Sequence, residues 1–203
     1  MKKSIQIAIS LIFVVLLVLS VGACANRNAI DNDPEEAVAG ESKILVAYFS
    51  WSGNVQKLAN MIADNTGGEL FRIIAEDMYS TSYNETVSRA RQELNEGTRP
   101  AISTHIDPEI MAQYDVIYLG YPIWWSELPM PVVTFLEEYD LSGKTIIPFF
   151  SHQGTSSGGS SLSTLEDICS HSTALTDQAL SVKGSTVDEA QSYVEEWLTG
   201  LNY

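Results

Sequence analysis

The sequence is poor in cysteine and in basic residues. Its 203 residues contain two Cys, and 11 Lys and Arg stand against 26 Asp and Glu. Two cysteines exclude a disulfide-rich scaffold. The shortage of Lys and Arg argues against DNA or RNA as a partner, because a protein binds nucleic acid by neutralising its phosphates. We therefore expect an acidic protein, with a pI near 4.4, and no nucleic-acid partner.

Several functional signatures are also missing. No group of His, Cys and acidic residues has metal-site spacing, and no Ser stands in a GxSxG elbow. After residue 24, no stretch approaches the roughly 20 apolar residues that span a bilayer. The composition is 45% hydrophobic and 18% charged, which excludes a disordered chain. We predict one folded domain without a metal site.

The N-terminus differs in composition from the rest of the chain. Lys2 and Lys3 precede an almost wholly apolar run at 5–21, which is typical of a secretory signal. The run ends in Val21-Gly22-Ala23-Cys24. This ending resembles the lipobox of bacterial lipoproteins, in which the leader is cut before the Cys and the Cys is lipidated.

The lipobox resemblance implies a division of the chain into three parts. We expect a signal peptide at 1–23, a lipidated Cys24 with a solvated tether at 24–41, and a domain at 42–203. The domain would then be lipid-anchored at the extracytoplasmic face of the cell membrane. The alternative is an uncleaved signal anchor in which Cys24 is merely adjacent.

Strand and helix patterns alternate along the domain. Apolar runs without alternation are typical of strands covered on both faces, and apolar residues at i, i+3, i+4 and i+7 are typical of helices. The strands are predicted at 43–49, 69–75, 116–119, 145–150 and 178–182, and the helices at 55–63, 86–96, 132–139, 160–170 and 187–201. This order predicts an α/β fold with a parallel sheet and helices on both faces. Ligands bind beyond the carboxyl ends of such strands.

The first strand-end loop is Ser50-Trp51-Ser52-Gly53-Asn54. A helix start offers unpaired backbone N–H groups and a partial positive charge. The hydroxyls of Ser50 and Ser52 add donors, and Gly53 lets the backbone close around an anion, so the loop predicts a phosphate cradle. It contains neither GK[ST] nor GxGxxG, which disfavours P-loop and Rossmann sites. The alternative is that Ser52 or Asn54 only caps the helix.

The second strand-end loop is rich in aromatic residues. It runs from 120 to 129 and contains the candidate site residues Tyr121, Pro122, Ile123, Trp124 and Trp125. A flat ligand ring held by Trp or Tyr would gain roughly 0.5–1.5 kcal/mol per stacking pair beyond area burial. We expect one of the two tryptophans to pack on the domain and the other to face the ligand.

The third strand-end loop, residues 151–159, is rich in Gly and hydroxyl groups. Such a loop lends backbone N–H groups to the carbonyls of a ring. Its candidate contacts are Ser151, His152, Gly154, Ser156 and Gly158. Taken alone, the pattern fits a flexible linker equally well, and His152 fits a solvated or hydrogen-bonded structural residue.

These three loops, in this order, resemble the flavodoxin-like family. The resemblance is closest to its short bacterial branch of flavodoxins and flavodoxin-like NAD(P)H-dependent oxidoreductases. It rests on residues 48–54, 118–125 and 148–158 and covers about 43–201. It implies a flavodoxin-like three-layer sandwich with a five-stranded parallel sheet that binds FMN, with the isoalloxazine between the second and third loops.

The resemblance also implies the cofactor contacts of the first loop. They are Ser50, Trp51, Ser52, Gly53, Asn54 and Val55, with the phosphate on the hydroxyls and backbone N–H groups. The family usually has Thr where this chain has Val55. The missing hydroxyl is expected to cost about 1–2 kcal/mol of affinity, the worth of one hydrogen bond to a charged group.

Charge favours one function among three. FMN supplies the redox chemistry, and the protein sets binding and electrostatics. An acidic surface steers basic partners and repels NAD(P)H, and the three loops contain no Arg or Lys to hold a nicotinamide nucleotide. We therefore favour an electron carrier that serves a redox partner protein or a membrane quinone. The alternatives are an NAD(P)H-dependent quinone or flavin reductase and a non-catalytic flavin-binding or scaffold lipoprotein.

Overall fold

The computed structural model describes residues 42–154 and 157–203. The signal peptide, Cys24, the tether and Ser156 lie outside the described residues. The strands are β1 Ile44–Tyr48, β2 Glu69–Arg72, β3 Val116–Pro122, β4 Thr145–His152, β5 Thr173–Ala174 and β6 Leu180–Lys183. The helices are α1 Asn54–Thr66, α2 Tyr83–Glu96, α3 Pro108–Met111, α4 Met130–Glu138, α5 Ser161–Ile168 and α6 Gln191–Gly200.

The strands form one parallel sheet in the order β2-β1-β3-β4-β5. β6 also pairs with β4, so β5 and β6 are two pieces of one broken edge strand. A 3₁₀ turn at Thr176–Gln178 separates the pieces. The sheet therefore has five strand positions, which confirms the predicted α/β flavodoxin-like fold. The fifth strand was predicted at 178–182, and its short first piece was not predicted.

Each face of the sheet is covered by its own set of helices. In β1, Leu45 and Ala47 belong to the cluster that packs under α4 and α5. Val46 and Tyr48 belong to the cluster under α1 and α6. Successive residues of a strand point to opposite faces, so unbroken apolar runs are required when both faces are buried. This explains why the strands of this domain show no alternation.

The segment between β2 and β3 differs most from the predicted elements. β2 ends at Arg72 rather than at residue 75, because the chain leaves the sheet edge and pairs Ala75 with Ile102 in an antiparallel bridge. α2 begins at Tyr83, three residues before the predicted start. The short α3 was not predicted; Asp107 caps it by accepting a hydrogen bond from Glu109 N–H at 2.8 Å.

β3 and β4 extend further than predicted, to Pro122 and His152. The beginnings of the second and third loops are therefore strand residues. At the C-terminus, a 3₁₀ segment at Gly184–Glu189 takes the place of the first turn predicted for the last helix, and α6 begins at Gln191. Within residues 42–154 and 157–203, none of the helices has the length and hydrophobicity needed to cross a bilayer.

Candidate functional site

A cavity of about 470 Å³ opens where β1, β3 and β4 end. We name it the strand-end cavity. It joins all three predicted loops: its lining includes Trp51, Ser52 and Asn54 from the first, 122–125 from the second and 151–153 from the third. Helix α2 forms the remaining wall. Open parallel sheets bind their ligands in this position.

The first loop leads into a helix start that has no side-chain cap. The N-cap residue of α1 is Gly53, and its φ of 90° is a left-handed conformation that glycine adopts at little cost. Ser52 and Asn54 do not cap the helix, and the first turn contains no acid. Ser50 Oγ instead accepts a hydrogen bond from the Gln56 N–H at 3.2 Å. The first N–H groups of α1 form the kind of uncharged end that binds anions.

Trp51 and Arg72 fix the first loop in place. The Trp51 indole N–H donates to the carbonyl of Ser80 at 2.9 Å, and its ring lies 6.4 Å from that of Tyr83. The Arg72 guanidinium donates to the carbonyl of Ser50 at 3.3 Å. The guanidinium is held against the backbone of the loop, and it does not line the cavity.

The two tryptophans of the second loop lie in different surroundings. Trp124 packs against the core, with edge-to-face contacts to Phe49 at 5.4 Å and Tyr79 at 5.0 Å between ring centroids. Trp125 is 45% exposed. Both rings line the cavity. The prediction that one of the pair packs on the domain holds for Trp124, and that the other faces a ligand stays a prediction.

A strained turn holds Trp125 at the cavity. Trp124 and Glu127 exchange two backbone hydrogen bonds of 3.2 and 2.9 Å around Trp125 and Ser126. Both central residues have positive φ, 55° and 64°, which is the pattern of a type I′ turn. Such turns favour Asn and Gly, and a non-glycine residue with a left-handed backbone conformation costs about 1–3 kcal/mol. Strain of this kind persists where surrounding contacts enforce it.

Contacts with α2 enforce the position of Trp125. Its indole N–H donates to the carbonyl of Val87 at 3.1 Å. The guanidinium of Arg91 lies 4.3 Å from the centre of its ring. Both contacts come from α2, so this helix and the second loop close the cavity together.

The third loop contributes Ser151, His152 and Gln153 to the lining. The carbonyl of Ser151 accepts a hydrogen bond from Ile123 N–H at 2.9 Å, which ties the second loop to the third. In the described part of the chain, His152 Nδ1 is the one buried side-chain polar atom without a hydrogen-bond partner. A buried polar atom in the wall of a cavity is open to a hydrogen bond from a ligand or a water molecule.

Six of the predicted site residues that the structure describes lie outside the lining: Ser50, Gly53, Val55, Tyr121, Gly154 and Gly158. Tyr121 belongs to β3 and points into the core, where its hydroxyl lies 3.3 Å from Ser161 Oγ and burial raises its pKa. Val55 is buried under the sheet. Each leaves only its backbone for a contact in the cavity. Gly154 is also outside the lining, and Gly158 packs on α5, since an added Cβ would lie 2.8 Å from Leu162 Cδ1.

The α2 wall was missed in the sequence. It consists of Tyr83, Thr86, Val87 and Ala90, which have the i, i+3, i+4, i+7 spacing of one helical face. That spacing was the available signal. It was missed because the face mixes aromatic, hydroxyl and aliphatic residues, and its first member, Tyr83, lies before the predicted start of the helix at residue 86.

A partly buried ionic network lies behind Trp124 and supports it. The Tyr79 hydroxyl donates to the carboxylate of Glu93, and burial, with this carboxylate, raises the pKa of Tyr79. Arg89 pairs with Glu93 at 2.7 Å and with Asp77 at 3.0 Å, and it also covers the Tyr79 ring at 4.1 Å. Glu93 and Arg89 belong to α2. The network therefore fixes both Tyr79, against which Trp124 packs, and the helix that closes the cavity.

Among the residues that the structure describes, those lining the cavity include no Asp, Glu, Lys or Arg. This neutrality stands out in a chain with 26 acidic residues. An anion would be held by backbone N–H groups and the end of the α1 dipole, and a flat ring by indole and aliphatic surfaces.

The doubly wound parallel sheet, with its site at the strand carboxyl ends, defines a flavodoxin-like α/β protein. A sequence model of the flavodoxin family matches residues 43–198, and the chain belongs to this family.

Three solved structures with this fold match the chain over nearly their whole length. Two, described as candidate flavoproteins, come from Bacteroides uniformis (28% identity, TM-score 0.64) and Bacteroides eggerthii (31%, 0.61); each match covers 76% of this chain and 98% of the other. A flavoprotein from Lactobacillus acidophilus, solved in complex with FMN, is 24% identical, with a TM-score of 0.56 and coverage of 73% and 97%.

Proposed function

We propose that this domain binds FMN in the strand-end cavity and transfers electrons at the outer face of the cytoplasmic membrane. One observation carries the proposal: a single uncharged cavity joins the open end of α1 to two indole rings. Membership of the flavodoxin family and the FMN complex of the Lactobacillus relative support the same cofactor. When bound, FMN would supply reversible one- and two-electron chemistry.

The first loop fits the phosphate end of FMN. Gly53 has the left-handed conformation that turns the chain into α1, and an added Cβ would meet nothing within 4 Å. The backbone N–H groups of Gly53, Asn54 and Val55 would hold the dianion, with Ser52 beside them in the lining. Ser50 Oγ already accepts a hydrogen bond from the Gln56 N–H, so its hydroxyl is a weaker candidate for the phosphate.

The second and third loops fit the ring end. Pro122, Ile123, Trp124 and Trp125 give a largely apolar surface, and the backbone and side chains of 151–153 give the polar edge. Trp125 is half exposed, so the ring it covers would lie close to the protein surface. A redox partner would then reach the ring without any opening of the core.

Electrostatics favour a carrier over an NAD(P)H-dependent reductase. None of the described residues that line the cavity has a cationic side chain for the phosphates of a nicotinamide nucleotide. A chain with 26 acids and 11 bases attracts basic partner proteins and repels NAD(P)H. A redox partner protein or a membrane quinone is therefore the proposed partner.

The proposed location rests on the sequence of residues 1–24. A positive start, an apolar run and Gly22-Ala23-Cys24 together support a lipidated Cys24. Replacement of Cys24 by Ser should abolish incorporation of radiolabelled fatty acid. Full labelling of the Cys24→Ser protein would contradict the proposed anchor.

The test of the function uses the unlipidated form, residues 24–203 with Cys24→Ser. We expect a yellow protein with one FMN per chain by absorbance and mass spectrometry. Reduced by dithionite, it should pass electrons to a basic acceptor such as cytochrome c, and NADH or NADPH with a quinone should give no steady turnover. Steady NAD(P)H oxidation would favour the alternative function as an NAD(P)H-dependent reductase. Absence of flavin uptake would leave only the alternative of a non-catalytic scaffold lipoprotein.

A further inference from the structure

Gly184 lies at a point where two loops of the site meet. It follows β6 directly, and its Cα has no free space: an added Cβ would lie 2.4 Å from Nε2 of Gln153 and 2.6 Å from Nδ2 of Asn54. Both distances are far below those of real Cβ contacts. Two side-chain amides from different loops therefore converge over one glycine.

Strand pairing brings these residues together. β6 pairs with β4 in a register that places Lys183 beside His152, so the next residues, Gly184 and Gln153, are neighbours. Asn54 is the first residue of α1. Both amide side chains line the strand-end cavity, and neither has a hydrogen-bond partner among the residues that the structure describes.

We infer that Gly184 is a positioning residue of the mononucleotide site, which leaves room for the amides of Asn54 and Gln153 to meet and bind the hydroxyl chain of the ligand. The inference rests on the proposed function. Asn54 belongs to the phosphate end of the cavity, and Gln153 belongs to the third loop, at the ring end. The ribityl chain of FMN connects these two ends.

The chemistry of the amides suits a chain of hydroxyl groups. Each carboxamide has two N–H donors and one carbonyl acceptor, and each hydroxyl both donates and accepts. The two amides are uncharged, so they would recognise the middle of the ligand by its hydroxyl groups and not by charge. The ligand class is thus a flat ring linked to a phosphate through a polyhydroxyl chain.

Gly184→Ala tests the positioning role with little risk to the fold. The clashing atoms are the ends of two flexible side chains, which would swing away and lose their common position. We expect the FMN dissociation constant of the unlipidated form to rise about tenfold, the effect of losing one or two neutral hydrogen bonds. The unfolding midpoint of the FMN-free protein should stay the same. Gly200→Ala is the matched control, since its added Cβ meets nothing within 4 Å.

A double-mutant cycle separates positioning from a structural effect. Gly184→Ala should add nothing in a background of Asn54→Ala and Gln153→Ala, because the groups it displaces are already gone. Lumiflavin, which lacks the hydroxyl chain and phosphate, should bind all variants equally. Riboflavin should show the same loss as FMN, because it retains the chain.

The outcomes are distinct. If the wild-type protein binds FMN and Gly184→Ala binds it as tightly, the inference is overturned and the proposed function stands. An undiminished effect in the Asn54→Ala, Gln153→Ala background also overturns it. If the wild type takes up no FMN, the proposed function itself fails. Should Gly184→Ala not fold, the Asn54→Ala, Gln153→Ala double variant still decides, since wild-type affinity for riboflavin there contradicts the amide pair.

Discussion

The two ends of the strand-end cavity are built in different ways. At the α1 end, the proposed binding groups are the backbone N–H groups of consecutive residues at Gly53–Val55, held by one helix start. At the α2 wall, they are side chains, and their position depends on contacts from distant segments, such as Trp125 with Val87 and Arg91. A backbone site tolerates changes of neighbouring side chains but fails when its one glycine changes. Substitution of a single side chain in the α2 wall should lower the affinity for the ligand by a smaller amount.

The largest effect is expected at the α1 end. Gly53→Asp places a carboxylate beside the proposed phosphate and forces a side chain into a left-handed conformation. We expect FMN affinity to fall by about 100-fold or more in an equilibrium titration, because like charges then meet at the helix end. Gly67→Asp is the control: it lies at the other end of α1, with φ 70° and open space around an added Cβ. Equal losses in both variants would show that strain, not charge at the phosphate, is the cause.

Disruption of the network behind Trp124 should have the next largest effect. Glu93→Gln removes the charge that Arg89 and the Tyr79 hydroxyl share, and is expected to lower the free energy of unfolding by about 2 kcal/mol. Glu137→Gln breaks the exposed pair with Arg99, whose distances are 2.6 and 2.7 Å, and should cost less than about 1 kcal/mol. Urea denaturation measures both. A larger loss for Glu137→Gln would contradict the role of the partly buried network.

Trp125→Ala should weaken FMN binding by about tenfold, because one stacking surface is lost and the turn loses its anchor on α2. Trp125→Phe keeps an aromatic ring but not the indole N–H that reaches Val87, so an intermediate loss is expected. Quenching of flavin fluorescence gives both affinities. If the Trp125→Ala variant bound FMN as tightly as the wild type, the flavin ring would not lie against Trp125.

Tyr83→Ala should have the smallest effect. The side chain is 68% exposed and touches only the rim of the cavity, beside Trp51. We expect a two- to threefold rise in the FMN dissociation constant, within the range of a partly solvated aromatic contact. Tyr193→Ala, at a similarly exposed tyrosine of α6 outside the cavity lining, is the control and should leave affinity unchanged.

This contrast also explains what could be predicted from the sequence. The first loop could be predicted because Ser-Trp-Ser-Gly-Asn is contiguous and its chemistry depends on the backbone. The sheet could be predicted because strands such as 116–119 are continuous apolar runs. The broken fifth strand could not, since Thr173–Ala174 is too short to form a pattern. The α2 wall and Gly184 depend on pairing between distant segments, and Tyr121 could not be assigned to a face before the end of β3 was known.

The most direct test of the central claim is an amide NMR titration of the ¹⁵N-labelled, unlipidated protein with FMN. We predict that the backbone N–H resonances of Gly53, Asn54 and Val55 shift most, and that the shifts saturate at one equivalent. The Trp124 and Trp125 indole resonances should shift over the same range. Saturable FMN binding that leaves the three α1 amides unmoved would contradict the claim.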